Sequence, residues 1–305
     1  MKSLNFVVFL VETEISMWKL RAFFKQCRLG GFTYVSSWIY RRLWFPIVNW
    51  RRPHLDELSI HVVDHCNLDC KGCGVLAPLA EKWFYDAAQI ERDLSELSKK
   101  VQFAQIVLIG GETLLHPKLT ELVRICKRIY PKASVVITTN GILLPKLSDD
   151  FWSVCKQHKV LMFLTVYLPF REKLNEYLAL AKRKGVCLMT LGSADRWIIM
   201  RYSFDQNKHS PNAVFRECEN KRCRQLYRSK LYLCSVCFFR HYNRHFNENH
   251  PTVKGYDIYK YSGKELVEFM KRPDPACRYC TWVMKKETTR WDYSKREKSE
   301  WCEDV

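Results

Sequence analysis

The chain has 305 residues, 47% hydrophobic and 14% aromatic, enough to fill a sizeable core, which excludes a disordered chain and suits one large α/β domain with a smaller module. No apolar run approaches the ~20 residues needed to cross a bilayer; LNFVVFLV lacks a small-residue cleavage site and runs into Glu12 and Glu14, so the 14 Cys are expected in a reducing cytoplasm rather than in secreted disulfides. A formal charge of +18 points to phosphate-bearing or acidic partners, and with no basic run that marks a nucleic-acid tail, nucleic acid is not the expected one.

Residues 1–53 carry nine Lys or Arg, two acids and twelve aromatics, and read as a basic, aromatic N-terminal extension. Stretches such as MWKLRAFFKQCRLGGF and SSWIYRRLWFPIVNW suit a helix docked on the protein body, the expected state. The second fit is an interfacial helix in peripheral contact with anionic lipid. Met17 offers an alternative start.

From residue 58 the pattern alternates. LSIHVV (58–63) reads as a strand. DAAQIERDLSELSKKV (86–101) reads as a helix capped by Asp86, with Ile90, Leu94, Leu97 and Val101 on one face. Strand 104–109, helix 118–129, strand 134–139, a short helix near 149–157, strand 160–166, helix 171–184 and strand 186–191 complete the series. Repeated βα units with nearly all-apolar strands predict an α/β fold with a parallel sheet, open or barrel-like, over 54–205. After about residue 200 Cys, Arg and aromatics dominate, so 206–305 is expected to be a small Cys-rich module. Its charged end, KKETTRWDYSKREKSEW, reads as a solvated or packed terminus.

The chemistry gathers at strand ends. Cys66, Cys70 and Cys73, in CNLDCKGCG, follow the first strand; GGET (110–113) follows the second, TNG (139–141) the third, and Thr165 closes the fourth. In parallel α/β barrels that end carries the active site. Three thiolates on one short loop can hold three irons of a cubane cluster, leaving the fourth open to a ligand. Glycines at 110 and 111 let main chain approach closely. Glu112 can accept a charge-assisted hydrogen bond or fix the loop.

In the Cys-x3-Cys-x2-Cys loop and Gly110-Gly111-Glu112, the sequence resembles the radical S-adenosylmethionine (radical SAM) enzymes. The resemblance implies a partial (β/α)6 TIM-type barrel whose 4Fe–4S cluster binds S-adenosylmethionine at its open iron. It also implies reductive cleavage to a 5′-deoxyadenosyl radical that abstracts a substrate hydrogen, and an electron donor such as flavodoxin or ferredoxin. By the same resemblance, Gly110, Gly111, Glu112, Asn140 and Thr165 contact the cofactor. Position 72, commonly aromatic in the family, is Gly here. CNLDCKGCGVLAPLA, GGETLLHPKL, TTNGILL and TVYLP look like members encoded among bacterial surface-polysaccharide genes; His116 and Lys71 belong to these stretches as a loop hydrogen-bonder and a solvated charge.

The C-terminal module resembles twitch or SPASM auxiliary-cluster regions. On that match Cys223, Cys234, Cys277 and Cys280 are the ligands of a second 4Fe–4S cluster, with Cys218 and Cys237 as alternates. A four-Cys zinc site uses the same paired spacing and stays open. Cys27, Cys126, Cys155, Cys187 and Cys302 read as small core or surface residues. The expected function is radical oxidation or rearrangement of an anionic small molecule, a phosphate-bearing sugar or glycan intermediate. Radical modification of a peptide is the alternative within enzymes, and a non-catalytic metal protein binding RNA or membrane the alternative outside them.

Overall fold

The computed structural model describes residues 36–191, 197–205, 209–285 and 288–304, so Met17, Cys27 and most of the N-terminal extension lie outside the described residues. The described part of that extension is a helical segment, α1 (36–48), docked at the N-terminal ends of the first strands: Arg41 bonds Gln105 and lies 3.6 Å from Glu57, and Ser37 donates to Ser134. Its middle, Tyr40–Trp44, widens into a π turn. Pro46, two residues on, has no N–H to donate, which breaks the regular ladder there.

Strands β1 (His54–Val63), β2 (Gln102–Gly110), β3 (Ser134–Thr139), β4 (Leu161–Thr165) and β5 (Cys187–Leu191) lie side by side in parallel. They are joined by α2 (Ala87–Lys100), α3 (Leu119–Ile129), α4 (Asp149–Gln157) and α5 (Leu174–Lys184). Each helix arises locally. The Asp86 carboxylate accepts from the Gln89 amide at 2.9 Å and Ser148 caps α4, while Gly185, at φ 70°, ends α5 in the left-handed turn that a side chain resists. Leu58, Ile60 and Val62 of β1 pack with Ile90, Leu94 and Leu97 of α2 in the main core. The opposite face of the sheet holds a smaller apolar set centred on Val107, Val136 and Leu161.

Strand β1 begins four residues before the apolar run, and its early acids are answered from outside: Asp56 by Arg42 and Arg222, Glu57 by Arg41. A two-stranded antiparallel pair joins β6 (Trp197–Ile198) to β10 (Thr288–Thr289). In the Cys-rich part, β7 (Gln225–Tyr227), β8 (Lys230–Tyr232) and β9 (Gly255–Asp257) extend the same sheet, in the order β5-β4-β3-β2-β1-β7-β8-β9. Strand β7 runs parallel to β1, with Ser59 opposite Gln225. The sheet therefore has six parallel strands in a partial barrel, five from successive βα units and the sixth added beside β1. Helices α6 (Pro211–Glu217), α7 (Val236–Phe246), α8 (Gly263–Phe269) and α9 (Trp282–Lys285) complete the elements among the described residues. Among the described residues no helix is long and apolar enough to cross a membrane.

Candidate active site: the cysteine loop and its walls

The loop carrying Cys66, Cys70 and Cys73 leaves the C-terminal end of β1 and turns back through Cys73 N–H to Cys70 C=O (3.3 Å) and Leu76 N–H to Cys73 C=O (3.0 Å). The three thiols share one apolar cluster with Leu68, Tyr167 and Trp291. Burial pushes the Cys66 thiol up to about 12, aided by the charges of Glu112 and Cys73, and raises Cys70 and Cys73 too. Such thiols stay protonated until a cation displaces the protons. Gly72 sits at φ 63°, and a Cβ there would lie 2.7 Å from Ile199 Cγ2, so an aromatic side chain has no room at this position.

The Gly-Gly-Glu stretch holds this loop from below. A Cβ on Gly110 would lie 2.3 Å from the Val63 carbonyl oxygen, and one on Gly111 2.3 Å from that of His65. Here the glycines admit the incoming main chain of the Cys loop, which bonds them directly: Gly111 N–H to Val63 C=O at 2.8 Å and Glu112 N–H to His65 C=O at 3.1 Å. The Glu112 carboxylate is 1% exposed and accepts from Leu114 N–H, Thr139 Oγ1 and Asn140 N–H, at 2.9, 2.8 and 2.8 Å. Burial raises its pKa, and these three donors oppose the rise. In this geometry Glu112 fixes the loop.

Asn140 continues the brace: its side-chain amide donates to Asn67 Oδ1 at 2.7 Å and approaches Cys66 Sγ at 3.7 Å, while its Oδ1 accepts from Ile142 N–H. Thr165 stands half-buried at the end of β4. His116 accepts from Lys118 N–H at Nδ1 and so donates from Nε2 to the Tyr85 carbonyl, the loop role expected of it.

Two features escape a reading of the sequence. The first is the outer wall of the loop, supplied by the segment expected to be a solvated or packed terminus. Lys71 N–H donates to Asp292 C=O (3.0 Å), Ser294 N–H to Asp69 C=O (3.1 Å), and Trp301 Nε1–H to Cys73 C=O (3.0 Å). Trp291 is 6% exposed, and its indole N–H faces the Cys70 thiol, partly opposing the rise that burial imposes on that group. At the rim, a cleft of about 450 Å³ is lined by Lys71, Leu168, Arg290, Trp291 and Tyr293 among others. Alternating aromatic and charged residues such as TTRWDYSKREKSEW were the available signal.

The second is a buried polar cluster behind the loop. Tyr227 OH donates to Asp64 Oδ2 at 3.2 Å, and His61 Nε2 lies 3.0 Å from Asp64 Oδ1. Arg240 and His241 of α7 approach Oδ2 to 3.7 and 3.8 Å. Burial pushes His241 down to about 4 despite the pull of Asp64.

In the C-terminal part, Cys218, Cys277 and Cys280 pack around Val214 and Val283, and the charges of Cys280, Cys218 and Cys277 join burial in raising the Cys234 thiol. Cys223 is pushed up to about 12 by burial, then by the charges of Glu57 and Cys218. Cys234 thus feels the charges of Cys218, Cys277 and Cys280, and Cys223 feels that of Cys218, while the Cys237 side chain lies outside the described residues. Among the described residues no three His, Cys, Asp or Glu side chains close on one point as a single-ion site would. Cys126, Cys155 and Cys302 are buried packing residues, and Cys187 is partly buried.

Residues 60–193 match the Radical SAM superfamily profile. Similar curated proteins include the GTP 3′,8-cyclases of Microcystis aeruginosa, 30% identical over 99 residues (31% of this chain, 30% of that one), and Chlorobaculum tepidum, 34% identical over 99 residues (31% and 28%). The match spans less than a third of these relatives' length. Among solved structures, BtrN in complex with AdoMet and 2-DOIA gives a TM-score of 0.47 at 16% identity, covering 74% of this chain and 92% of that one. Taking together the cysteine loop, the Gly-Gly-Glu brace beneath it and the parallel sheet that presents both, residues 60–193 are a radical SAM superfamily domain.

Proposed function

We propose that this enzyme acts by radical chemistry on a small anionic molecule, a phosphate-bearing sugar or glycan intermediate, entering by the cleft beside the Cys loop. The observation that carries the substrate class is that Lys71, on the loop itself, and Arg290, on the covering segment, line one cleft of about 450 Å³ against a single carboxylate, Asp292. Arg presents a planar fork to phosphate and Lys a point charge. The cyclases matched above act, by name, on a nucleoside triphosphate, which shares that chemistry.

The donor set fits the cofactor the family implies. Three thiols sit on one loop in an apolar cluster, with the buried indole N–H of Trp291 facing Cys70. When bound, the cluster and S-adenosylmethionine supply one-electron reduction and hydrogen-atom abstraction. Cys66, Cys70 and Cys73 hold the cluster; Glu112 and Asn140 keep their loop in register, with Gly110, Gly111, Asn140 and Thr165 at the strand ends where the cofactor lies. Trp291 and Tyr167 exclude water from the thiols. Cys218, Cys234, Cys277 and Cys280 form the second ligand set, for an auxiliary cluster rather than zinc, and an electron donor such as flavodoxin or ferredoxin serves the first.

The test is 5′-deoxyadenosine formation after anaerobic reconstitution with S-adenosylmethionine and dithionite, beside Cys73→Ala. Formation lost in the variant supports the radical assignment. A KM for a sugar phosphate unchanged in Arg290→Ala would remove the cleft from the reading.

A further inference from the structure

Six of the ten large apolar side chains exposed among the described residues, Ile39, Leu43, Trp44, Ile47, Val48 and Trp50, fall on α1 and the turn after it, each 45–69% exposed. Docking on the protein does not consume them. The other side of the same segment makes the attachment, through buried Phe45 packed edge-on against His54, Arg41 beside Glu57 and Ser37 on Ser134. Among the described residues the patch is thus an apolar face turned outward.

Its surroundings are cationic. Residues 36–55 contain Arg41, Arg42, Arg51 and Arg52 and no Asp or Glu. Arg41 and Arg42 lie near Glu57 and Asp56, whereas Arg51 and Arg52 are exposed, the Arg51 guanidinium 4.5 Å over the Trp50 ring. Exposed Trp flanked by Arg, on a chain of net charge +18, complements one kind of surface: lipid head groups bearing negative charge, with the rings at head-group depth.

We infer that residues 36–52 dock this protein on an anionic lipid surface, lying in its interface. The inference is independent of the substrate assignment. Segment α1 sits at the N-terminal ends of β1–β3, and the Cys loop leaves the C-terminal end of the ten-residue β1, on the order of 30 Å away. Docking therefore leaves the cleft open to water.

Flotation of the full chain with vesicles of phosphatidylcholine plus roughly one-third phosphatidylglycerol, against pure phosphatidylcholine, tests this. Binding is expected on the anionic vesicles, weakened by high salt. It should fall at least about tenfold in Trp44→Ser/Trp50→Ser and about fivefold for each of Arg51→Gln and Arg52→Gln. Circular dichroism and iron content should match wild type, which shows that the variants fold. No flotation on anionic vesicles overturns the inference. So does equal flotation on both kinds, and so does a concentration-dependent dimer dissolved by the Trp substitutions, which would make the patch an interface between copies.

Discussion

Trp301 Nε1–H donates to the main-chain carbonyl of Cys73 at 3.0 Å, tying together residues 228 positions apart. The Trp301 ring is fully buried, packed with Leu76, Tyr202, Phe239 and Cys302 among others. Trp301→Phe keeps most of that packing and deletes the donor, so it should cost about 1–2 kcal/mol in denaturant unfolding. Trp301→Ala adds a cavity and should cost about 3–5 kcal/mol. Iron retained by the Cys66 loop should fall in both; retention at wild-type level in the Phe variant would separate the tail from the loop's order.

Glu112 is a buried carboxylate answered by three donors. Glu112→Gln turns one acceptor into a donor that faces other donors, and should lower stability by about 2–4 kcal/mol. The readout is urea unfolding of the protein before reconstitution, which a purely cofactor-contacting role would leave unmoved.

Gly111→Ala should be worse than an ordinary surface change, because its methyl group would meet the His65 carbonyl at 2.3 Å, a main-chain atom that cannot swing aside. The expected cost is about 2–3 kcal/mol, with reduced iron loading and S-adenosylmethionine affinity in equilibrium titration.

For the second thiol set, the two alternatives differ by one residue. Cys218→Ala should lower iron from about eight to about four per chain, whereas Cys223→Ala should leave it near eight. The triple Cys66, Cys70, Cys73→Ala variant should retain about four. The reverse pattern for the single variants would restore Cys223 as a ligand, and zinc replacing iron in the triple variant would decide for a zinc site.

Burial holds His241 at about 4, below the unfolded value of about 6.5. Between those two values the unfolded chain takes up a proton that the native state refuses. Stability therefore falls as pH drops through that window, by on the order of 3 kcal/mol in all. Unfolding curves of wild type and His241→Gln across pH 7 to 4 should diverge in this way; parallel curves would show that the imidazole is protonated in the fold.

The core was legible where the information was local. Asp86 before an amphipathic run, Ser148 before another, and largely apolar strands of five or six residues each specify their element without reference to distant chain. Legibility failed where a residue's environment is assembled from afar. The expected strand starts only at Leu58, whereas β1 starts at His54, because the arginines that satisfy Asp56 and Glu57 come from positions 41, 42 and 222. The Cys loop was plain from spacing, yet its outer wall, Trp291 to Trp301, carries no periodicity and is folded by bonds to Asp69, Lys71 and Cys73. Likewise His61 and Asp64 gain their companions only when β7 and α7 arrive.

Because β7 pairs with β1, and residues 291–301 close over the loop that β1 launches, the polypeptide must be synthesised well beyond its radical SAM domain before that domain is complete. A nascent chain carrying only residues up to about 200 exposes one edge of β1 and leaves the cysteine loop unroofed. Metal delivery should therefore follow translation, and a ribosome stalled before residue 291 would present three uncovered thiols to any oxidant in the cell.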